Sequence, residues 1–147
     1  MNYLMDTCVL SEFTRRVPEE KIIEWVKSID EDMLFVSTIT IGEIKNGIES
    51  LPDSNRKNDL LVWLNDGLID RFGRRILPLD TQTMLVWGGL RARTNKMGTK
   101  MALFDSLIAS TALQNNLIVA TRNTPDFIAS GVQLINPWHT ESHPSLF

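Results

Sequence analysis

The sequence predicts an α/β protein, a single three-layer α/β/α domain with a mainly parallel central sheet. Short apolar runs alternate with longer segments of helical periodicity, which is the pattern of strand–helix–strand crossovers. Each run is too short for a helix and fits a strand that is buried on both faces. With 147 residues the chain has the length of one domain. We expect this domain at residues 1–138 and a loose tail at residues 139–147, where periodicity is absent.

The first half of the chain contains two predicted strands and three predicted helices. The strands are "YLM" and "MLFVS", and apolar residues at helical spacing mark "PEEKIIEWVKSID" and "TITIGEIKNGIESL" as helices. The segment "DSNRKNDLLVWLNDGLIDRFG" is predicted as one capped amphipathic helix that ends at Gly73. These elements alternate as a parallel sheet requires.

The second half continues the alternation. "RILPL" is a strand, and Asp80 starts the helix "TQTMLVWGGLRARTNKM". The helix "ALFDSLIASTALQNN" is predicted to place Asp105 in its first turn, one position off a buried stripe of Phe104, Leu107, Ile108 and Ala112. "LIVATRN" is a strand that emerges into a polar loop, "TPDFIAS" a single helical turn and "VQLINPW" the last strand.

Composition limits the possible functions. The formal net charge of -3 argues against a generic basic nucleic-acid binder, although cationic residues gather in "DRFGRR" and "RARTNKMGTK". Each of these two clusters fits a solvated helix face equally well. No apolar stretch approaches the roughly 18 residues of a membrane span, and a lone cysteine, Cys8, suits a reducing compartment. We therefore expect a cytoplasmic protein that does not bind membranes.

Acidic and amide side chains follow the predicted strands. Asp6 follows the first strand, Glu43 lies in the helix after the second, Asp105 opens a later helix, and Asn123 and Asp126 follow "LIVAT". In a parallel sheet these positions lie toward one edge, where open α/β sheets bind ligands. Two carboxylates about 4 Å apart repel by about 4 kcal/mol at an effective dielectric constant of about 20. Such a cluster needs a cation.

The ligand types select the cation. Oxygen ligands without His or Cys suit Mg²⁺ or Mn²⁺ rather than zinc. Mg²⁺ binds through a few carboxylates and substrate phosphates, which indicates phosphodiester chemistry. No Ser/His/Asp set, Cys/His set or glycine-rich phosphate loop competes with this interpretation. The alternative for each acid is an ordinary helix cap, above all for Asp6 in front of "TCVLSEF".

Four segments carry a family resemblance. "YLMDTCVLSE", "STITIGEIKNGIE", "ALFDSLIASTALQNNLIVATRNTPDF" and "VQLINPWH" occur in this order over nearly the whole chain. Together they resemble the PIN-domain ribonuclease toxins of the VapC type, particularly the FitB and StbB plasmid-stability branch. The resemblance implies an Mg²⁺-dependent endoribonuclease, the toxin of a type II toxin–antitoxin system. It also implies that Asp6, Glu43 and Asp105 hold the metal and act in catalysis.

The fourth position of the metal site departs from the family pattern. Similar proteins often carry an acid within this loop, whereas "TRNTPDF" has Asn123 there and its next acid at Asp126. We favour Asn123, which directly follows the strand and offers a carbonyl oxygen, and retain Asp126 as the alternative ligand. The hydroxyls of Thr7 and Thr121 could orient a carboxylate or a water, and turn or cap roles are equally open for them.

The resemblance also implies partners. These are an RNA substrate, with transfer RNA as one candidate, a small antitoxin, a second copy of the chain, and a larger complex with the antitoxin that binds operator DNA. An antitoxin side chain of basic type would enter the acidic pocket. The residues that could steer RNA are Arg71, Arg74, Arg75, Arg91 and Arg93. Phosphate contacts of this kind are sensitive to salt.

Two other functions compete with the nuclease. A phospho-aspartate receiver domain would need an adjacent acidic pair at the first strand and a lysine at the end of a late strand, and the sequence has neither. A catalytically weak PIN-fold binding module could instead act through a complex of antitoxin and DNA. Asn123 keeps this second possibility open, because it removes one charge from the acidic set.

Overall fold

The structure is a computed structural model that describes residues 1–139. Apart from His139, the predicted tail at 139–147 lies outside the described residues. A sheet of five strands, all parallel, forms the centre of the described part, in the order β3-β2-β1-β4-β5. The strands are β1 (Tyr3–Met5), β2 (Leu34–Ser37), β3 (Ile76–Leu77), β4 (Ile118–Ala120) and β5 (Leu134–Ile135).

Helices connect the strands in the predicted order. The α-helices are α1 (Thr7–Ser11), α2 (Glu20–Ser28), α3 (Thr38–Glu49), α4 (Asn55–Val62), α5 (Asp70–Phe72), α6 (Thr81–Lys96) and α7 (Leu103–Asn115). A π-helix, Trp63–Ile69, joins α4 to α5. Short 3₁₀ turns lie at Glu12–Thr14, Glu31–Met33, Gly73–Arg75, Thr124–Asp126 and Ile128–Ser130. The predicted α/β class with its parallel sheet is confirmed.

The alternation of side chains along β1 separates two hydrophobic cores. Tyr3 and Met5 belong to one core, whereas Leu4 belongs to the other. The first core contains Ile22 of α2, Ile44 and Ile48 of α3, Leu64 and Leu68 of the π-helix, and Phe72 of α5. The second contains Leu90 of α6 and Ile108, Ala109 and Ala112 of α7. Helices therefore cover both faces of the sheet, which is the three-layer arrangement.

The strand order places a crevice at the end of β1. The chain builds the sheet outward from β1 to β2 and β3, and then returns to the other side of β1 to add β4 and β5. The carboxyl ends of β1 and β4 are therefore neighbours at the point where the strand order reverses, and the Asp6 amide donates to the Ala120 carbonyl there at 3.0 Å. Ligands of open α/β sheets bind at such a switch point.

Two details differ from the sequence predictions. Phe104 was expected on the buried stripe of α7 but is 48% exposed, whereas Leu107, Ile108 and Ala112 are buried. Phe104 lies in the first turn of α7, which also includes the exposed Leu103 and precedes the buried stretch from Ser106 to Ala112. The long helix that ends at Gly73 contains the π-helical segment, where the Asn65 side chain donates to the Leu61 carbonyl at 3.0 Å.

Candidate metal centre at the sheet switch point

Asp6 connects the carboxyl ends of β1 and β4. Its Oδ1 accepts from the Thr7 amide at 2.8 Å, so Asp6 is the N-cap of α1, as the capping alternative predicted. Its Oδ2 accepts from the Thr121 hydroxyl at 2.8 Å, directly beyond β4. The residue is only 7% exposed, and burial raises its pKa although both hydrogen bonds oppose the shift. A cap alone does not require a second, buried partner 115 residues away.

Glu43 is held beside Asp6 through α1. The Thr7 hydroxyl donates to Glu43 Oε1 at 2.7 Å, so one short helix aligns two of the predicted acids. Thr7 follows the cap residue of α1, while Glu43 lies near the start of α3, which begins directly after β2. Both helices start at the carboxyl edge of the sheet, close after β1 and β2.

Asp105 lies in the first turn of α7, and its electrostatic environment links the whole cluster. Burial, followed by the negative charges of Asp6, Asp126 and Glu43, raises the pKa of its carboxyl to about 6. No basic side chain counts among these influences on Asp105. The site therefore gathers negative charge that the described part of the chain does not neutralise.

The loop after β4 contributes two candidates for the fourth ligand. The charge of Asp126 raises the pKa of both Asp6 and Asp105, so its carboxylate lies within electrostatic reach of both. The backbone of Asn123 is fixed, because its amide donates to Thr121 Oγ1 at 3.0 Å and its carbonyl accepts from the Asp126 amide at 3.0 Å. Both side chains are exposed.

The donor set fits a hard divalent cation. All the ligand candidates offer oxygen, and the raised pKa of Asp105 shows that a cation would relieve repulsion. Among residues 1–139, no three His, Cys, Asp or Glu side chains form a ready-made metal cage. A hard divalent cation held by these oxygen ligands would keep part of its coordination shell as water.

Three of the predicted RNA-steering arginines lie at the opposite edge of the sheet. Arg71 and Arg75 both pair with Glu31, and Arg75 also donates to the Leu34 carbonyl at 2.9 Å. Glu31 precedes β2, and all three arginines, Arg71, Arg74 and Arg75, precede β3. All four residues therefore lie at the amino edge of the sheet. The structure does not bring them together with the acids.

The other two arginines belong to α6 and lie near the acidic cluster in the fold. Arg91 donates to the Met101 carbonyl at 2.8 Å, in the segment that leads into α7 and Asp105. Arg93 donates to the Ser130 carbonyl at 2.9 Å, beyond the loop that carries Asp126. Both therefore connect α6 to segments that continue into the site.

Two further residues, one beside the site and one a buried acid elsewhere, were not predicted from the sequence. Arg122 lies directly after β4, where its amide donates to Cys8 Sγ at 3.5 Å and its guanidinium packs 4.9 Å from the centre of the Trp138 ring. Its position directly after a strand was the available signal. Glu12 is 2% exposed and accepts from the Glu19 amide at 2.9 Å and from Arg15 at 3.1 Å. Nothing in the sequence distinguishes this structural acid from a catalytic one.

Fold and site define the class of protein: a parallel α/β domain whose ligand crevice is built from carboxylates. Residues 3–128 match the family model of the PIN domain, and the chain therefore belongs to the PIN-domain family. This confirms the family resemblance. Among the residues described, no helix is long and apolar enough to cross a membrane.

Curated relatives agree on the type of PIN protein. The chain is 36% identical to Toxin FitB from Neisseria gonorrhoeae over 136 residues, which cover 92% of this chain and 98% of FitB. It is 36% identical to Plasmid stability protein StbB from Pseudomonas syringae pv. tomato over 135 residues, 92% of this chain and 97% of StbB. It is 28% identical to the tRNA(fMet)-specific endonuclease VapC from Salmonella typhimurium over 131 residues, 86% and 90% of the two chains.

Solved structures show the same similarity. The crystal structure of FitAcB from Neisseria gonorrhoeae superimposes with a TM-score of 0.90 at 36% identity, over 94% of this chain and 99% of that chain. The structure of FitAB bound to an IR36 DNA fragment also gives a TM-score of 0.90, at 34% identity over 97% and 99% of the two chains. The similarity therefore extends over the domain as a whole.

Proposed function

We propose that the chain is an Mg²⁺-dependent endoribonuclease and the toxin of a type II toxin–antitoxin system, with Asp6, Glu43 and Asp105 as metal ligands. One observation carries the proposal. Three other carboxylates act on Asp105 and raise its pKa, and no basic side chain offsets them. A site of this kind is costly for the protein alone and favourable for a bound cation. Mn²⁺ has the same ligand preference and could replace Mg²⁺.

The residues around the acids prepare them for this role. When bound, a divalent cation supplies Lewis acidity and lowers the pKa of water next to the scissile phosphate. The Thr121 hydroxyl donates to Asp6 at 2.8 Å, and the Thr7 hydroxyl donates to Glu43 at 2.7 Å. These hydrogen bonds fix the orientation of both carboxylates before the substrate binds. Asp105, which comes from the opposite helical layer, completes the set.

Asp126 is the better supported fourth acid. Its charge acts on both Asp6 and Asp105, whereas Asn123 makes its hydrogen bonds through its backbone. Asp126 would therefore supply the charge that Asn123 lacks and would help to hold a divalent cation. Asn123 as a neutral carbonyl ligand remains the alternative.

RNA is the proposed substrate, and transfer RNA is its first candidate. The Salmonella relative is named a tRNA(fMet)-specific endonuclease, and the identity of 28% extends over most of both chains. The test is cleavage by the purified chain. We expect new RNA ends to form with Mg²⁺ and not with EDTA, and sequencing of these ends identifies the RNA and the bond. Cleavage that is insensitive to EDTA contradicts the proposal.

A small antitoxin is the proposed inhibitor, and its complex with the chain is proposed to bind operator DNA. FitAB, which the chain resembles closely, was solved on a DNA fragment. A basic antitoxin side chain would find charge-assisted partners in the acidic cluster. Co-expression with the neighbouring upstream reading frame should relieve toxicity and yield a stable complex in the cytoplasm. A frame that neither binds nor protects argues against this part of the proposal.

A homodimer is proposed through α6 and α7. These helices pack against each other and expose apolar side chains, namely Met84 and Leu85 in the first half of α6 and Leu103 and Phe104 at the start of α7. A second copy would remove this surface from water. We expect Leu85→Glu to produce monomers in analytical ultracentrifugation, while the control Val62→Glu, at an equally exposed site on α4, leaves the dimer intact.

The alternative function is a catalytically weak PIN-fold module that acts through an antitoxin and DNA complex. The presence of Asn123 favours it, because the site then has one carboxylate fewer in the family position. The two functions differ in one measurement. A purified chain that binds antitoxin and operator DNA but cleaves no RNA at any Mg²⁺ concentration has the alternative function.

A further inference from the structure

Asp105 differs from the other two proposed metal ligands in the way it is held. Asp6 and Glu43 each accept a hydrogen bond from a threonine hydroxyl, at 2.8 and 2.7 Å. Within residues 1–139, the carboxylate of Asp105 accepts no hydrogen bond. The place of this carboxylate therefore depends on the backbone of the first turn of α7, which carries it.

The first turn of α7 has no side-chain cap of its own. Its N-cap residue is Ala102, whose methyl group cannot accept a hydrogen bond from the free amides of the turn. The next two residues, Leu103 and Phe104, are 51% and 48% exposed. By contrast, side chains cap the starts of α1, α3, α4 and α6. The turn that carries Asp105 needs support from another element.

Helix α6 supplies this support through a tryptophan. The Trp87 indole N–H donates to the Ser106 hydroxyl at 3.0 Å, and this hydroxyl in turn donates to the Leu103 carbonyl at 2.6 Å. Ser106 is fully buried and directly follows Asp105. Because the hydroxyl gives its single proton to the carbonyl, it presents an acceptor to the indole, which can only donate. Two linked hydrogen bonds thus close the first turn of α7 and join it to α6.

A second donor of α6 holds the chain just before this turn. Arg91 follows Trp87 by four residues on the same face of α6, and its guanidinium lies 5.9 Å from the centre of the Trp87 ring. Arg91 donates to the Met101 carbonyl at 2.8 Å. The two contacts lie on either side of the uncapped Ala102 and so fix the backbone from Met101 to Ser106.

We propose that Trp87 is a positioning residue for the metal site, and that it acts through Ser106 to set the place of Asp105 relative to the other acids. The inference rests on the proposed function, because it concerns a ligand of that same site. In this role Trp87 contacts neither metal nor RNA. Without its hydrogen bond the first turn of α7 moves more freely, so Asp105 adopts the ligand geometry less often. Metal binding then weakens while the fold is retained.

The test measures metal binding directly. The purified full chain is titrated with Mn²⁺ alone, and electron paramagnetic resonance counts the ion that stays free. Trp87→Phe keeps an aromatic ring and removes the donor, whereas Ser106→Ala removes the acceptor. We expect each variant to bind Mn²⁺ about three- to tenfold more weakly, which is a smaller loss than for partners that bind a metal ligand directly.

A double variant tests whether the two residues act as a pair. Since Trp87→Phe and Ser106→Ala remove the same hydrogen bond, the double variant should bind Mn²⁺ no more weakly than the weaker of the two single variants. Independent effects would multiply to a loss of about 10- to 100-fold. Such a loss overturns the inference, because Trp87 would then not act through Ser106.

Matched controls separate positioning from a loss of packing. Trp63→Phe shrinks a half-buried tryptophan of the first core, whose indole makes no hydrogen bond within residues 1–139. Ser110→Ala removes a fully buried hydroxyl one turn further along α7, which donates to the Ser106 carbonyl at 2.7 Å. Both controls should bind Mn²⁺ like the parent, even where thermal unfolding in EDTA gives a lower Tm.

RNA cleavage against Mg²⁺ concentration is the second readout. Trp87→Phe should need more Mg²⁺ for half-maximal cleavage, and saturating Mg²⁺ should restore the parent rate, because the ion then selects the ligand geometry of Asp105. Trp63→Phe should follow the parent curve. A maximum rate of Trp87→Phe that stays low at saturating Mg²⁺ contradicts the positioning role.

Two further results overturn the inference while the proposed function stands. One is parent-like Mn²⁺ affinity in both Trp87→Phe and Ser106→Ala. The other is an equal loss of affinity in Trp63→Phe or Ser110→Ala, which would make the loss an effect of packing. A parent chain that binds no Mn²⁺ and cleaves no RNA with Mg²⁺ instead overturns the proposed function, and the positioning role is lost with it.

Discussion

The two edges of the sheet treat carboxylates in opposite ways. At the amino edge, Glu31 is paired with Arg71 and Arg75, and the hydrogen bond from Arg71 is the main cause that lowers the pKa of Glu31. At the carboxyl edge, Asp6 and Asp105 have raised pKa values, with burial as the main cause in each. At the amino edge, arginines lower the pKa of the acid, whereas at the carboxyl edge no basic side chain lowers the pKa of Asp6 or Asp105.

This difference agrees with the proposed division between structural acids and metal-binding acids. A carboxylate with a basic partner from its own chain is already neutralised and has little to gain from a metal. A cluster of carboxylates that lacks such partners has an electrostatic cost in the free protein, which a bound cation removes. Position relative to the sheet therefore matters more for function than the number of acids in the sequence.

The largest expected effect is the loss of RNA cleavage when Asp105, at the carboxyl edge, loses its charge. Asp105→Asn keeps the shape of the side chain and removes its charge, so we expect Mg²⁺-dependent RNA cleavage to fall by more than about a hundredfold, because ligand loss costs more than loss of a supporting contact. Glu31→Gln removes a charge at the amino edge and should cleave at the parent rate. Equal loss in both variants would show that the two edges do not differ in function.

A smaller effect is expected from the hydroxyl that holds Asp6. Thr121→Val preserves the shape of a fully buried side chain but removes the hydrogen bond to Asp6 Oδ2. We expect cleavage to fall by about 10- to 100-fold and half-maximal activity to need more Mg²⁺. Thr121→Ser retains the hydroxyl and should recover most of the activity. If the serine variant is as weak as the valine variant, the hydrogen bond does not position Asp6.

The loop after β4 offers a sharper test of which acids belong to the carboxyl edge. If Asp126 is the fourth acid, Asp126→Ala should raise the Mg²⁺ concentration for half-maximal cleavage by about tenfold, and Asn123→Asp should give no improvement. If Asn123 holds the position instead, Asn123→Asp should lower that concentration and Asp126→Ala should change little. Cleavage is measured against Mg²⁺ concentration for both variants. Unchanged curves for both remove the loop from the site.

Much of this comparison could be predicted from the sequence because it depends on local patterns. The apolar run before Asp6 predicts a strand, and parallel connections bring the acids that follow the strands to one edge. The family resemblance then selects Asp6, Glu43 and Asp105 from among the acids. The hydroxyl contacts of Thr7 and Thr121 were open alternatives, because a hydroxyl's partner depends on the packing of distant segments.

Other features depend on tertiary structure and could not be predicted. The pairing of Glu31 with Arg71 and Arg75 joins residues about 40 positions apart, and the helical pattern around the arginines does not indicate it. Phe104 satisfies the spacing of a buried stripe, yet it is exposed in the first turn of α7. Spacing identifies which residues share a face of a helix but not how far the neighbouring layer extends.

The smallest expected effect is the change in stability of the metal-free protein when a carboxylate loses its charge. This change should have opposite signs at the two edges of the sheet. The pKa of Asp105 is raised from its ordinary 3.8 to about 6, so the folded state loses stability as pH rises through this interval. Asp105→Asn should therefore be more stable than the parent above pH 6, by about 1 kcal/mol because solvent screens a partly exposed group. This corresponds to a rise in Tm of about 3 °C, and the gain should vanish below about pH 4.

Glu31→Gln should behave in the opposite way. Because Arg71 and Arg75 lower the pKa of Glu31 below its ordinary 4.5, the ion pairs stabilise the fold above that pH and are lost as pH falls. The variant should be slightly less stable than the parent at pH 7 and equal to it in acid. Thermal unfolding of both variants in EDTA from pH 2 to pH 8 measures the contrast. If the Tm of both variants changed in the same direction relative to the parent, the acids at the two edges would be neutralised alike. The carboxylates at the switch point would then not repel one another, and a bound cation would have no repulsion to remove.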